Sequence, residues 1–326
     1  MKGGGLFAPI SREGALVLNN LLLSTAAATV LLGTLYPLFL DAFSGAKVSV
    51  GPPFFNATFL PLAIPLVVAL AVGPFLPWKR ADLNGVFARL KFALIFVLFV
   101  LGITWWLVDE GPILAFVGMS LFAWLTAAVF IEWAGRIKLF KVAVSESMRR
   151  AKNLPRSAYG MSIAHLGVAM IILGITASEA WQSERLDVMK TGETATVGGY
   201  EFTFKGAEKA VGPNYDILRG KFVASKNGHD IVTLQPEQRV YQNPPMETTE
   251  AAIWPMLSAD LYVVIGEEDG QGGYATRIYH KPFVSWIWGG SIVMFIGGLF
   301  SLSDRRFRIG AARGAKKPIA GVGAAG

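Results

Sequence analysis

The sequence predicts a polytopic α-helical membrane protein of about six spans, with a small β-rich, OB-like extracytoplasmic domain between the fifth and sixth spans. Three observations predict it. Of 326 residues, 53% are hydrophobic and only 16% charged, where a soluble domain carries about a quarter charged residues. The apolar residues gather in runs of about twenty, the length a helix needs to cross a ~30 Å hydrocarbon core. One long polar stretch, rich in Gly and Thr, instead alternates with the period of two that marks half-buried strands.

The membrane domain is expected over 1–178, with spans at 15–40, 57–77, 92–108, 112–133 and 158–178. The first run follows Lys2 and Arg12 but is too long for a cleaved leader and lacks a clear small-x-small site, so it reads as a span. The second contains Pro61, Pro65, Pro74 and Pro77 and is expected to kink or break. A sixth span is expected at 284–302, before a basic tail at 303–326.

Basic residues orient these spans, because cytoplasmic loops retain Lys and Arg. Lys79, Arg80, Arg89 and Lys91 follow the second span. Arg136, Lys138, Lys141, Arg149, Arg150, Lys152 and Arg156 follow the fourth, and Arg305, Arg306, Arg308, Arg313, Lys316 and Lys317 follow the sixth. The alternate loops hold Lys47 alone, at 41–56, and no basic residue at 109–111. Both termini are therefore expected in the cytoplasm. The net charge of +7 reports topology rather than a nucleic-acid partner. Trp105, Trp106, Trp286 and Trp288 fall near outer span ends, where indole rings prefer the interface.

Residues 179–283 form the outer domain. Tyr200, Phe202 and Phe204 share one strand face, and 216–226, 230–234, 261–265 and 274–279 alternate similarly. Gly198-Gly199, Asn227-Gly228 and Gly272-Gly273 are turn signals. Together they predict a small barrel or sandwich. No cysteine occurs anywhere, so the domain has no disulfide and the chain performs no thiol chemistry itself.

Chemistry concentrates on one residue. Of three histidines, His165 alone lies within a span, on the order of 10 Å inside its cytoplasmic edge at 1.5 Å per residue. Ionisable groups at that depth are functional candidates. A neutral imidazole there can coordinate haem iron, relay a proton or bond a neighbouring helix. Gly160, Ala164, Gly167, Ile171 and Gly174 make a mostly small stripe beside His165 that would admit a helix backbone or a flat macrocycle. His229 follows a hairpin turn and reads as solvated, and His280 reads as a surface histidine near the outer interface. A bis-histidine haem at His165 would thus need its second ligand from another polypeptide. Glu132, at the cytoplasmic end of the fourth span, is expected to snorkel to water.

Six ordered motifs carry a resemblance. They are Ile10-Ser11-Arg12-Glu13 through Asn19-Asn20, Leu32-Gly33-Thr34-Leu35-Tyr36-Pro37 and Val48-Ser49-Val50-Gly51-Pro52-Pro53-Phe54-Phe55-Asn56. Met161-Ser162-Ile163-Ala164-His165-Leu166-Gly167, Leu234-Gln235-Pro236-Glu237-Gln238-Arg239-Val240-Tyr241 and Tyr279-His280-Lys281-Pro282-Phe283 follow. Over residues 6–309 the chain resembles the C-terminal half of the CcmF family, the haem lyase subunit of the System I cytochrome c maturation machinery.

The resemblance implies a bacterial inner-membrane protein with its β domain in the periplasm. It implies attachment of haem to apocytochrome c, with haem drawn from a membrane-tethered haem chaperone and apocytochrome presented by a thiol-oxidoreductase-like maturation subunit. It also implies a separate haem b within the membrane, one of whose axial ligands matches His165. The family's tryptophan-rich segment, its two external haem-ligating histidines and the first haem b ligand have no counterpart here, and Trp105-Trp106 is no substitute. The second axial ligand is therefore expected from the N-terminal half of the family, without which this half is expected to be inactive. No residue is assigned to thioether formation. Two other readings remain: a structural assembly subunit without its own haem, and a membrane carrier of haem or a small molecule, for which the kinked or broken second span is the best support.

Overall fold

The computed structural model describes residues 10–77, 83–107 and 112–304. The orienting residues Lys79, Arg80, Arg305, Arg306, Arg308, Arg313, Lys316 and Lys317, and the outer turn 109–111, lie outside these. Six described helices are long and apolar enough to cross a bilayer, and a β domain separates the last two. The chain is a multi-pass membrane protein.

Ser11 starts α1 (Arg12–Ser44): its hydroxyl accepts from Gly14 N at 3.1 Å, satisfying one of the free N–H groups of the first turn. Arg12 N also donates to Pro77 O at 3.1 Å, tying the start of α1 to the segment after α2. The helix ends at Gly45, whose φ of 66° suits a residue without Cβ. α2 (Pro52–Val72) opens on proline, where the missing N–H costs nothing. It runs unbroken through Pro61 and Pro65 and gives way only to a 3₁₀ turn at Gly73–Phe75. α3 (Leu83–Leu107), α4 (Ile113–Ile137) and α6 (Arg156–Ala180) follow, with the short α5 (Val144–Lys152) between the last two.

Helices in lipid associate where small side chains let backbones approach. Ala71, Ala93, Ala128 and Ala169 are accordingly almost fully buried where α2, α3, α4 and α6 meet around Leu90 and Leu125. The tightest seam joins α6 to α7 (Val284–Leu302). A Cβ on Gly167 would lie 2.6 Å from Gly290 O, and one on Gly160 would lie 2.6 Å from Gly297 O. Only glycine fits either position.

The β domain takes the sandwich form. β1 (Ser183–Lys190), β10 (Gly273–Pro282), β9 (Ala259–Glu268) and β8 (Ala252–Pro255) form one antiparallel sheet in that order. β2 (Thr194–Val197), β3 (Tyr200–Val211), β4 (Tyr215–Lys226), β6 (Glu237–Gln242) and β7 (Pro245–Glu250) form the other, with β5 (His229–Leu234) also paired to β4. Alternate residues Phe202, Phe204 and Phe222 meet Leu261, Val263, Ile265 and Ile278 in a dry core between the sheets. Asn227 and Gly228, both at positive φ, make the tight β4–β5 hairpin turn.

The junction with the membrane is short. α6 leads through Trp181 and Gln182 into β1, and β10 leads through Phe283 into α7. The β1–β10 ladder opens on the pair Ser183 and His280. The antiparallel helix pair α6–α7 therefore continues directly as an antiparallel strand pair.

Candidate functional site

His165 lies nine residues into α6 and is half-buried in a small recess open on one side. Leu70, Ala71 and Pro74 line it from α2 and its following turn, Ala128, Val129 and Glu132 from α4, and Met161 and Ser162 from α6.

The imidazole is oriented by its own helix. Nδ1 lies 2.8 Å from Met161 O, one turn back. A carbonyl only accepts, so Nδ1 carries the proton and Nε2 keeps its lone pair. Histidines that ligate metals characteristically donate their other ring N–H to a backbone carbonyl or carboxylate in this way, which fixes the tautomer and raises the basicity of the ligating nitrogen. This geometry suits an axial ligand to iron. It also satisfies one ring nitrogen without a neighbouring helix.

Two expectations need correction. The small stripe Gly160–Gly167–Gly174 does not sit beside His165: five residues at 100° each place Gly160 about 140° away around α6. That face is filled by the α7 backbone, with Gly174 closed by Ile287 and Phe283, so no macrocycle approaches there. The sequence held a clue, since Gly290 and Gly297 in α7 repeat the seven-residue step of Gly160 and Gly167. Nor does Glu132 snorkel to water. It is 8% exposed, pairs through Oε1 with Arg136 one turn on, and turns Oε2 inward with no partner among the described residues. Glu132 therefore joins the His165 recess, a neighbourhood that only the packing of α4 on α6 reveals.

The other histidines stay apart. His229 is exposed at the start of β5. His280, in β10, stacks on Tyr200 with ring centroids 5.7 Å apart and packs against the Gly198 turn. Burial first, and then the Lys226 ammonium, hold its imidazole below the usual histidine range. It is a neutral packing group of the sandwich rather than a freely exposed one. Neither approaches His165, and no cluster of His, Cys, Asp or Glu suited to a metal ion occurs among the described residues.

Comparison with known proteins finds this architecture in named relatives. Residues 180–282 match the family model described as the CcmF C-terminal beta-sandwich. The cytochrome c-type biogenesis protein CycK of Rhizobium meliloti is 44% identical over 320 residues, 98% of this chain and 47% of that protein. The cytochrome c-type biogenesis protein CcmF of Pseudomonas aeruginosa is 42% identical over 312 residues, 93% of this chain and 45% of that protein. A solved structure described as cytochrome c heme lyase CcmF superimposes with a TM-score of 0.66 at 24% identity, covering 91% of this chain and 46% of that one, and shares the fold. The chain spans about half the length of the curated relatives it matches.

Proposed function

We propose that this chain, a homologue of the CcmF and CycK cytochrome c-type biogenesis proteins, acts in covalent attachment of haem to apocytochrome c and supplies one axial ligand, His165 Nε2, to an intramembrane haem b. The observation that carries the reading is the bond from His165 Nδ1 to Met161 O, which leaves Nε2 free and basic. Bound haem b would supply the electron that keeps an incoming haem iron reduced. This chain's own residues do the holding: Met161 O orients the ring, while Leu70, Ala71 and Val129 keep water from one side of it. The second axial ligand comes from the part of the relatives' length that this chain does not span.

Sidedness follows the same reading. Arg89 and Lys91 near the start of α3, and the basic residues from Arg136 to Arg156, mark the cytoplasmic side. The sandwich, at the opposite end of α6, then faces the periplasm of the bacterial inner membrane. There it meets apocytochrome c, the haem chaperone and the thiol-oxidoreductase-like maturation subunit. The carrier reading rested on a broken second span, and α2 is continuous through Pro61 and Pro65.

The test is a reduced absorption spectrum of the purified membrane complex, formed by this chain together with the remaining part of the family's length. A b-type spectrum that disappears in His165→Ala, with both parts still co-purifying, is expected. Unchanged haem content in His165→Ala would refute the ligand and leave a scaffold without its own haem.

A further inference from the structure

The end of the membrane domain away from the sandwich carries a feature that the haem site does not use. Residues 138–155 join α4 to α6 and include α5, a helix of nine residues that is too short to hold itself together in water. Its nine residues fall into arcs around the axis at 100° per residue. Ser147, 3% exposed, and Ala151 face the bundle. Val144 and Met148 come next, one turn apart, and are 74% and 61% exposed. Lys152, Ser145 and Arg149 follow on the solvent side, and Glu146 and Arg150, both half-buried, close the circuit back to the bundle.

Just before α5, Phe140 is 95% exposed and sits at φ 60°, in the left-handed region that bulky side chains avoid. The fold thus holds an aromatic ring outward in an unfavourable backbone conformation. Charge is equally one-sided: from 138 to 156 there are six basic residues (Lys138, Lys141, Arg149, Arg150, Lys152, Arg156) and one acid, Glu146. Glu146 pairs with Arg149 and Arg150 at 2.8 and 2.9 Å. The adjoining end of α7 lies at the same level, because Ser157 N donates to Asp304 at 3.0 Å.

We propose that α5 is an interfacial helix seated on anionic phospholipid beside the bundle. Phe140, Val144 and Met148 enter the boundary between headgroups and acyl chains, and Lys141, Arg149 and Lys152 bind lipid phosphates. The order of arcs is what such a helix requires: bundle, then apolar, then cationic. Charge complementarity favours lipid over a second copy of this chain, whose matching segment would carry the same excess of positive charge. The segment is also continuous with two spans, which hold it at the bilayer surface.

The absence of cysteine permits a clean probe. Met148→Cys in the full chain, carrying an environment-sensitive fluorophore, is reconstituted in phosphatidylcholine vesicles with increasing phosphatidylglycerol. Acyl-brominated lipid is expected to quench the label, at least twofold more with phosphatidylglycerol present, and added salt should reverse that gain. Lys141→Gln/Arg149→Gln/Lys152→Gln should abolish the gain while circular dichroism stays unchanged. Quenching by aqueous iodide but not by brominated lipid would overturn the proposal. Protection from both quenchers, the sign of a protein cover, would overturn it too, as would lipid quenching indifferent to phosphatidylglycerol.

Discussion

Two adjacent glycines in α7 should respond in opposite ways to one added methyl group. A Cβ on Gly297 would lie 2.5 Å from Ala164 N and 2.7 Å from Gly160 O, both backbone atoms of α6, whereas ordinary contact begins at 3.4 Å. Backbone cannot swing aside as a side chain can, so Gly297→Ala must push α7 back by about 0.9 Å (3.4 − 2.5). A gap of ~0.5–1 Å forfeits a quarter to a half of each contact along the seam, and overpacking of this kind costs about 1–3 kcal/mol. Gly298 has nothing within 4 Å of its would-be Cβ. Gly298→Ala therefore loses no packing and gains ~0.5–1 kcal/mol of helix preference. The helix preference is gained at both positions, so the two variants should differ by the overpacking cost, roughly 1–3 kcal/mol. The assay is unfolding of the full chain in mixed micelles as the sodium dodecyl sulfate fraction rises, followed by circular dichroism. Gly297→Ala as stable as Gly298→Ala would refute the claim that α6 and α7 touch backbone to backbone.

Three further outcomes follow from other contacts. Arg136→Ala strands both Glu132 oxygens in the recess and should cost ~1–3 kcal/mol, whereas Glu132→Gln keeps an acceptor for Arg136, removes the buried charge and should be close to neutral in the same unfolding assay. In the sandwich, Gly198→Ala meets the His280 ring at 2.2 Å with φ at 58° and should cost ~2–4 kcal/mol, while Gly199→Ala, with no neighbour in reach, should cost only ~1–2; equal losses in thermal melts would contradict the packing of His280. Asp269 Oδ1 accepts from Gln271 N and Gly273 N, which holds its carboxyl below the usual aspartate range. A depressed folded pKa stabilises above the unfolded value near 3.8 and is lost as pH falls through the lower folded one. Asp269→Asn should thus lower the melting midpoint at neutral pH and converge on the parent as pH falls through the folded value; a pH-independent difference would count against the carboxylate.

The membrane character and the β domain were legible because they rest on local signals, namely run length and alternation. Tyr200, Phe202 and Phe204 were read on one face, and all three are buried in the sandwich. What escaped the sequence were relations between distant segments. The glycine stripe of α6 was visible, but a stripe gives a direction and not the neighbour that fills it, and that neighbour, α7, lies more than a hundred residues on. Glu132 was read as a snorkelling end-group because its depth along α4 was legible while the side of α4 it occupies was not. α5 was passed over for a related reason. Nine residues give too few turns to register a period, and their charges had already been taken up as an orientation signal. His165 needed no partner to be noticed, and its bond to Met161 was implicit in a one-turn spacing.

The uninterrupted passage from α6–α7 into β1–β10 makes the chain a ruler. Fifteen residues of α6 separate His165 from the last helical residue, Ala180, a rise of about 22 Å at 1.5 Å per residue. With two residues on one side of the joint and one on the other, the connections between bundle and sandwich are short in both arms of the passage. The height of anything gripped at the foot of the sandwich is therefore calibrated against the depth of His165. Inserting one helical turn into α6 alone would offset that calibration by about 5.4 Å, and it would shear the β1–β10 register before it lifted the domain.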